Sequence, residues 1–493
     1  MKNQKTCCTG VEGLDDILRG GLPENRLYLI QGDPGSGKTT LALQFLLHGV
    51  AQGEKCLYIT LSETKDELNG VSDSHNWSLD GLEIFELSAM EQQLAQSAQN
   101  TLFHPSDVEL NKTTKALLAE VDRIKPKRLV LDSLSELRLL AESPLRYRRQ
   151  MLAMKQYFAG RNCTVLLLDD QVASNASDQQ VQSIAHGVLT LSRQPVDYGA
   201  QRRRVIIDKL RGVKFREGPH DYVIETGGIR IFPRLVAAEH HKTFNDEPIS
   251  SGIKELDLLL GGGLDRGTSN LILGPAGTGK SAVAHQFAVT AAERGEKCLL
   301  FVFDENIKTI LRRTTSLGLP LQKYVTSGEI KLRQVDPADV SPGEFAHQIK
   351  RAVVEDDVRL VILDSLIGYL QAMADERFLS LQLHEMLTFL SQQGVVTIIT
   401  VTQHGLIGNM QTPIDVTYLA DSVILMRFFE ADGEVKKAIS IIKKRSGTHE
   451  KAIREFTIDQ KGVSVGEPLR KFRGVLTGVP TLTDDESPLI KGR

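Results

Sequence analysis

The sequence predicts an α/β protein with two tandem domains, each built on a mostly parallel β-sheet with helices on both faces. Two observations predict this fold class. A glycine-rich motif that lies between an apolar run and a helix occurs twice, and predicted strands alternate with predicted helices in both halves of the chain. Such alternation is typical of a parallel sheet that is covered on both faces.

The first copy of the motif, Gly32–Thr39, reads GDPGSGKT and matches the pattern G-x-x-x-x-G-K-[ST] in full. A strand is predicted before it at Leu27–Ile30, and a helix is predicted after it, ending near Gln52. Glycines allow backbone N–H groups to surround phosphate oxygens, and the helix N-terminus adds a positive dipole end. The pattern predicts that Lys38 contacts the β and γ phosphates and that the Thr39 hydroxyl ligates Mg²⁺.

The second copy, Gly274–Ser281, reads GPAGTGKS. Its lysine, Lys280, follows Lys38 by 280 − 38 = 242 positions. The same offset separates Gly10 from Gly252. This offset indicates a tandem duplication, and the period is too long for a solenoid, so each copy is expected to be a complete domain. The residues predicted to bind ATP are Gly35, Ser36, Gly37, Lys38, Thr39 and Thr40 in the first copy, and Gly277, Thr278, Gly279, Lys280, Ser281 and Ala282 in the second.

The length of 493 residues suits two domains of ordinary size. We predict a first domain over 1–242, a second domain over 243–473 and a flexible C-terminal tail over 474–493. Short β-rich runs between Gly187 and Phe232 predict antiparallel strands at one edge of the first sheet.

The composition excludes several classes of protein. A hydrophobic content of 41% and a charged content of 25% are those of an ordinary globular protein. The net charge of −3 provides no overall attraction to nucleic acid or to an anionic membrane. No signal-peptide pattern is present, and no apolar run approaches the roughly 18 residues that span a bilayer. The five cysteines show neither disulfide nor zinc spacing. We therefore expect a cytoplasmic protein without a transition metal or a membrane partner.

Two aspartates, Asp132 and Asp364, each end an apolar run that reads as a buried strand. At the carboxyl edge of a parallel sheet such a side chain reaches the crevice in which nucleotides bind. We predict that they hold Mg²⁺ through water, beside Thr39 in the first copy and Ser281 in the second. The alternative is that each aspartate only caps the following helix.

Hydrolysis also needs a group that orients or deprotonates water. Glu63 and Glu305 lie at the end of the strand after each motif helix and keep the offset of 242. We predict that they are the general bases and that they act with Lys38 and Lys280 as catalytic residues. The alternative is that both are acids that favour the first turn of a helix.

A pattern Lys-x-Arg follows a β run in both copies, at Lys209 and Arg211 and again at Lys443 and Arg445. In ring ATPases, cations of one subunit reach the γ phosphate on its neighbour, where they offset transition-state charge. If the four residues have this role, they act in trans and the active sites lie between subunits. A solvated basic strand end is the alternative.

The chain resembles the KaiC family of double-domain RecA-like ATPases from about Gly10 to about Gly474. The resemblance rests on the paired loops, the strand-end acids, Lys209–Arg211 and the run Gly447–Phe456 (GTHEKAIREF), which is close to the family's second-domain signature. It implies two tandem RecA-like P-loop NTPase domains, the cofactors ATP and Mg²⁺, a double-ring homohexamer and slow ATP hydrolysis. In clock members it also implies a serine/threonine autokinase in the second domain and a signalling protein partner.

The chain departs from the family pattern at the strand ends and in the phosphorylated segment, and its tail is shorter than the clock segment that binds the stimulating partner. Clock members carry paired glutamates at the strand ends, whereas Ser62 and Asp304 stand here in the first place of each pair. The autophosphorylated segment is usually an adjacent Ser-Thr; here Thr417 matches the first site and Tyr418 replaces the second. We therefore expect Thr417 as the candidate phosphosite, and we do not expect a two-step phosphorylation cycle or a full oscillator.

A second class of function is a RecA/RadA-type DNA-dependent recombinase or helicase motor. The basic runs Arg202–Arg204 and Arg146–Arg149 favour it. Charge runs usually keep a surface solvated, however, and the overall balance is slightly acidic, so nucleic acid is not expected as a partner. The sequence also leaves open whether both copies hydrolyse ATP or one copy binds it only to hold the ring together.

Overall fold

The computed structural model divides the chain into two compact units, Met1–Arg234 and Leu235–Arg493. The division lies a few residues before the predicted end of the first domain at position 242. Each unit is an α/β domain with one nine-stranded sheet, so the predicted fold class is confirmed. The structure describes residues 5–87, 105–170, 178–195, 199–336, 339–372, 379–403, 417–431, 433–477 and 481–482.

The first unit contains eleven strands and seven helices in its described residues. The strands are β1 (Thr6–Cys7), β2 (Leu22–Pro23), β3 (Leu27–Gly32), β4 (Cys56–Thr60), β5 (Leu82–Glu86), β6 (Arg128–Asp132), β7 (Thr164–Asp170), β8 (Gly187–Gln194), β9 (Arg202–Leu210), β10 (Pro219–Glu225) and β11 (Gly228–Phe232). The helices are α1 (Leu14–Ile17), α2 (Lys38–Ala51), α3 (Lys65–Ser74), α4 (Pro105–Ile124), α5 (Leu134–Ala141), α6 (Pro144–Phe158) and α7 (Asp178–Ile184).

The second unit has a similar order, with one more helix before β14. Its strands are β12 (Ser269–Gly274), β13 (Lys297–Val302), β14 (Ile330–Gln334), β15 (Val358–Asp364), β16 (Val396–Thr402), β17 (Ser422–Ala431), β18 (Glu434–Lys444), β19 (Arg454–Asp459), β20 (Gly462–Pro468), β21 (Phe472–Arg473) and β22 (Thr481–Leu482). Its helices are α8 (Lys254–Leu259), α9 (Lys280–Glu293), α10 (Ile307–Ser316), α11 (Leu321–Ser327), α12 (Pro342–Glu355), α13 (Leu366–Ala372) and α14 (Leu379–Gln392).

The two sheets have the same topology. The strand order is β5-β4-β6-β7-β3-β8-β9-β10-β11 in the first unit and β14-β13-β15-β16-β12-β17-β18-β19-β20 in the second. The first six strands of each order run parallel, and the last three continue the sheet as antiparallel strands. The expected antiparallel edge is therefore present, although its first strand, β8, is still parallel to β3.

Both faces of each sheet are buried. Along β3, Tyr28 and Ile30 pack on the face that α2 covers, while Leu27 and Leu29 pack on the opposite face with α5 and α6. Successive strand residues point to opposite faces, so a strand that is apolar at every position needs cover on both sides. No helix in the described residues is long and apolar enough to cross a membrane.

The predicted C-terminal tail begins inside the second unit. Val475 is buried against Phe429 and Ala438, and β22 pairs with β21. Burial and strand pairing hold these residues against the domain, and the flexibility of the rest of the segment from 474 onward stays a prediction. Residues 483–493 lie outside the described residues.

A buried arginine joins β6 to the neighbouring elements of the first unit. The Arg128 side chain is 1% exposed and forms an ion pair with Glu54 at 2.5 Å. Its guanidinium also donates to the carbonyl oxygens of Cys8 and Phe45 at 2.8 and 2.9 Å. A buried charge is tolerated when its donors are satisfied in this way, and removing one partner leaves the other charge without compensation.

We predict that Arg128→Leu lowers the free energy of unfolding of the first domain by about 3–5 kcal/mol, because Glu54 loses its buried partner. Denaturant unfolding of the full chain measures this change. Lys127→Gln is the matched control: Lys127 pairs with the same carboxylate at 2.7 Å but is half exposed, so we expect a change below about 1 kcal/mol. Equal effects of the two substitutions would contradict the prediction.

Candidate nucleotide-binding sites

The first glycine-rich loop joins the carboxyl end of β3 to the start of α2. Gly37 caps the helix with φ of +94°, and a Cβ there would lie 2.7 Å from the Ile224 side chain on β10. Only glycine meets both conditions at this position. The Tyr222 hydroxyl, on the same strand, donates to the Ser36 carbonyl oxygen at 2.5 Å. The loop is therefore packed against the antiparallel part of the sheet.

The predicted binding residues of the first copy all lie in this turn. Ser36, Lys38 and Thr40 are buried. The Lys38 ammonium donates to the carbonyl oxygens of Gly32 and Asp33, at 3.0 Å each. It also forms an ion pair with Asp170, at the end of β7, over 2.7 Å. This places the ammonium inside the loop, where a phosphate-binding lysine is required.

Thr39 and Asp132, the two residues predicted to share a Mg²⁺ site, are in contact. The Thr39 hydroxyl donates to Asp132 Oδ2 at 3.3 Å, and the Tyr58 hydroxyl donates to the same oxygen at 2.5 Å. Asp132 is 6% exposed, and this burial raises the pKa of its carboxyl, whereas the two hydrogen bonds oppose the rise. Asp132 is thus held in place before any cation binds.

Glu63 lies three residues after the end of β4, at the same edge of the sheet. The Thr60 hydroxyl fixes its backbone, because it accepts from the Glu63 N–H at 2.9 Å and donates to the Glu63 carbonyl oxygen at 2.7 Å. Burial, with the charges of Asp132, Glu67 and Asp170, raises the pKa of the Glu63 carboxyl to about 7, and Lys38 opposes the shift. Glu63 Oε2 is buried without a hydrogen-bond partner among the described residues. Such a carboxyl suits proton transfer at neutral pH.

The second loop joins β12 to α9 with the same geometry. Gly277 and Gly279 have φ of +82° and +108°, and a Cβ at Gly279 would meet Ile458 at 2.2 Å. The place of Tyr222 is taken by Phe456, two residues before Ile458. Thr278 and Ala282 are buried, and the Thr278 hydroxyl donates to the Pro275 carbonyl oxygen at 2.9 Å.

Lys280 is also buried in its loop. It donates to the carbonyl oxygens of Gly274 and Pro275 at 2.9 and 2.8 Å. Burial lowers the pKa of Lys280 to about 8, and the charge of Asp364 opposes this shift. Asp364 ends β15, as predicted, and its carboxylate accepts a hydrogen bond from the Thr400 hydroxyl on β16. Ser281 opens α9 beside Lys280.

The two acids at the end of β13 have different partners. Glu305 forms an ion pair with Arg313 of α10. Asp304 instead accepts from the Ser365 hydroxyl at 2.9 Å, and Ser365 follows Asp364 directly. The structure therefore brings Asp304 close to the predicted metal ligand of the second copy, whereas Glu305 pairs with the helix that follows it.

Each loop follows the carboxyl end of a parallel strand. The two Lys-x-Arg pairs lie at the opposite edge of each sheet, where the same parallel strands begin. Lys209 is opposite Val188, beside the start of β3, and its ammonium donates to the Gln182 carbonyl oxygen at 2.6 Å. Arg211 donates to the Ser183 carbonyl oxygen at 2.8 Å. These carbonyls lie near the end of α7, where a helix attracts cations. The position excludes contact with phosphates in the loop of the same domain.

The second pair repeats this arrangement. Lys443 is opposite Val423 and donates to the carbonyl oxygens of Thr417 and Ala420 at 2.9 and 2.8 Å. Arg445 donates to the Tyr418 carbonyl oxygen at 3.0 Å. Thr417 is half-buried, and the segment 404–416 before it lies outside the described residues.

The oxygen ligands at the loops fit Mg²⁺. Each site offers one hydroxyl and one carboxylate, Thr39 with Asp132 and Ser281 with Asp364, and magnesium prefers such oxygen ligands together with substrate phosphates and water. In the part of the chain that the structure describes, no group of three or more His, Cys, Asp or Glu side chains is arranged to hold a metal. The residues fit a cation that is held jointly with a nucleotide.

Sequence reasoning did not identify Asp170, Tyr58 or Asp304 as site residues. Asp170 had a signal in the sequence, because Asp169 and Asp170 end an apolar run much as Asp132 does. Tyr58 gave no signal, since a tyrosine within a strand usually belongs to the core. Asp304 precedes Glu305 at the same strand end, and the repeat offset favours Glu305 over it.

Comparison with known proteins assigns the family. The family model "ATPase: KaiC" matches residues 7–236 and 249–470, which is most of the chain. The circadian clock oscillator protein KaiC of Thermostichus vulcanus is 26% identical over 96% of this chain and 91% of its own length. The circadian clock protein KaiC3 of Synechocystis sp. is 27% identical over 96% of this chain and 94% of its own length. The circadian clock oscillator protein KaiC of Synechococcus elongatus is 25% identical over 98% of this chain and 94% of its own length. With two P-loop domains, each matched by this model, the chain belongs to the KaiC ATPase family.

Proposed function

We propose that this chain hydrolyses ATP at two sites, assembles as a double-ring homohexamer, and receives the cations of each site from a neighbouring subunit. The observation that carries the proposal is the position of Lys209, Arg211, Lys443 and Arg445 at the edge opposite their own loops. Cations that act on phosphate must touch it, so these residues can serve only a site on another copy of the chain. A head-to-tail interface that closes on itself gives a ring.

Within one site the chain's own groups divide the work. The loop backbone and Lys38 hold and orient the triphosphate, and Thr39 and Asp132 hold Mg²⁺. When bound, Mg²⁺ neutralises charge on the phosphate oxygens. Glu63 accepts the proton of the attacking water. In the second domain Lys280, Ser281 and Asp364 take the corresponding roles; Glu305, the base expected from the repeat, has Arg313 as its partner, and Asp304 is a second candidate.

We extend the proposal to autophosphorylation at Thr417. Lys443 Nζ lies 2.9 Å from the Thr417 carbonyl oxygen. If Lys443 contacts the γ phosphate on the neighbouring subunit, Thr417 comes close to the same phosphate. The neighbouring site is therefore the donor that this geometry favours. By their names, the relatives of this chain are circadian clock proteins, and we infer a cytoplasmic signalling or timing output that is read by a protein partner.

Fewer observations support a DNA-dependent motor. Arg204, in the basic run on β9, forms an ion pair with Asp221 at 3.1 Å and donates to Gln194 at 3.1 Å. Arg202 is buried. Arginines that are buried or paired within the sheet are not exposed to a nucleic-acid backbone. The basic run therefore offers fewer cations to phosphates than its sequence suggests.

If each site is shared between subunits, mixing two inactive variants restores ATP hydrolysis. Both variants carry Lys280→Ala, so that the first domain alone turns over ATP. One also carries Lys38→Ala, and the other carries Lys209→Ala with Arg211→Ala. Random one-to-one mixing pairs an intact loop with intact neighbouring cations at roughly one interface in four. We expect about a quarter of the parent's phosphate release after mixing.

Lys155→Ala is the matched control, because Lys155 donates to the Ile184 carbonyl oxygen at the end of α7 but lies on α6. If Lys209 and Arg211 only stabilise this helix end, Lys155→Ala reduces ATP turnover as much as the double substitution Lys209→Ala with Arg211→Ala. A mixture no more active than its two components would exclude sites shared between subunits.

The role of Glu63 as a base predicts a pH dependence. A base must be deprotonated, so kcat/KM of the first domain rises as the pH passes through about 7, the pKa of Glu63. The groups that face Glu63 are Asp132, Glu67 and Asp170, which raise this pKa, and Lys38, which lowers it. We expect Glu63→Gln to reduce turnover strongly and to remove the inflection. Persistence of the inflection in this variant would assign it to another group.

Incubation with Mg²⁺ and ATP labelled on the γ phosphate tests the reaction type. We expect released phosphate, together with label on the protein that disappears in Thr417→Ala and remains in Tyr418→Phe. Release without retained label would restrict the function to hydrolysis. Stimulation by single-stranded DNA that falls with rising salt would instead support the DNA motor.

A further inference from the structure

The loop lysines of the two domains have different partners. Lys38 donates to two carbonyl oxygens and pairs with Asp170 at 2.7 Å. An ammonium has three N–H donors, so the chain itself supplies a partner for each donor of Lys38. The Asp170 side chain is 35% exposed, at the open edge of the sheet.

Among the described residues of the second domain, no carboxylate takes the place of Asp170. Sheet register puts Asp170 opposite Gly32, the first loop glycine, and puts Thr402 opposite Gly274. Thr402 is therefore the counterpart of Asp170 and carries no charge. Within the described residues, the hydrogen-bond partners of Lys280 are the Gly274 and Pro275 carbonyl oxygens. Its third donor remains for a phosphate oxygen.

A triphosphate that enters the first loop must therefore compete with Asp170. The phosphates need the Lys38 ammonium, which means that the contact with Asp170 has to lengthen or break. The freed carboxylate stays near Asp132 and near the incoming negative charge, and both contacts are repulsive. The carbonyl contacts are common to both loops, so they do not distinguish the two domains.

We propose that Asp170 is an internal counterion that competes with nucleotide phosphates for Lys38, so that the first domain binds ATP more weakly than the second. The inference rests on the proposed function, in which both loops bind ATP. It assigns different tasks to the two copies: the second domain fills at lower ATP concentration, and the first domain responds to higher concentrations.

Reciprocal substitutions in the full chain test this proposal. Lys280→Ala gives a parent that binds through the first loop, and Lys38→Ala gives one that binds through the second. Asp170→Asn is added to the first parent, and Thr402→Asp is added to the second. The probe is a fluorescent, non-hydrolysable ATP analogue with Mg²⁺, titrated at constant salt and pH.

We expect Asp170→Asn to lower the dissociation constant of the first site about tenfold and Thr402→Asp to raise that of the second site about tenfold, a change of about 1.4 kcal/mol in each direction. We also expect the first parent to bind more weakly than the second. The thermal unfolding midpoint of each variant without nucleotide checks that its domain is folded.

The outcomes separate this inference from the proposed function. If both parents bind the analogue but Asp170→Asn binds no more tightly in a folded protein, the competition is excluded and ATP binding stands. Weaker binding by Asp170→Asn would show that Asp170 supports the nucleotide and would also exclude the proposal. If neither parent binds, the proposed function fails and the inference fails with it.

Discussion

The direction of the strands determines where each domain carries its functional groups. The parallel strands β3, β4, β6 and β7 end at one edge, and that edge holds the glycine-rich loop, Glu63, Asp132 and Asp170. The next antiparallel strand, β9, returns the chain to the other edge and leaves Lys209 and Arg211 there. The second sheet repeats the arrangement. No change of side-chain rotamer can bring the two edges of one sheet together, so this separation is a property of the fold.

The two copies share a backbone but use different side chains around the same loop. Asp132 is held by Tyr58 from β4, whereas Asp364 is held by Thr400 from β16. Glu63 is partly buried among like charges, whereas Glu305 has an arginine beside it. The loop geometry is the common element, because left-handed glycines and close backbone packing leave little choice of residue. The surrounding hydrogen bonds can differ, since many side chains can orient a carboxylate.

The contrast between the fixed loop and its variable surroundings explains how much of the site the sequence could predict. The loops, the strand-end aspartates and the parallel sheet all have local patterns: glycine spacing, an apolar run that ends in an acid, and alternation of strands with helices. The contacts of Lys38 with Asp170 and of Glu305 with Arg313 depend on which strands are neighbours and on where a helix points a long side chain. No local pattern encodes them. The burial of Val475 has no local pattern either, because the residues that bury it belong to β17 and β18, far away in the sequence.

One hydrogen bond in the first domain joins the loop to an antiparallel strand, β10. Tyr222 donates to the Ser36 carbonyl oxygen within the loop, and its strand, β10, pairs with β9, which ends next to Arg211. In the proposed ring the loop faces one neighbour and the cations face the other. If the loop moved when its substrate bound, this path through β10 and β9 would carry the movement to the site of the next subunit, and cooperativity in such a ring would then have one direction. Phe456 has no hydroxyl to make this contact in the second domain, so the two rings would differ in how strongly successive subunits are coupled.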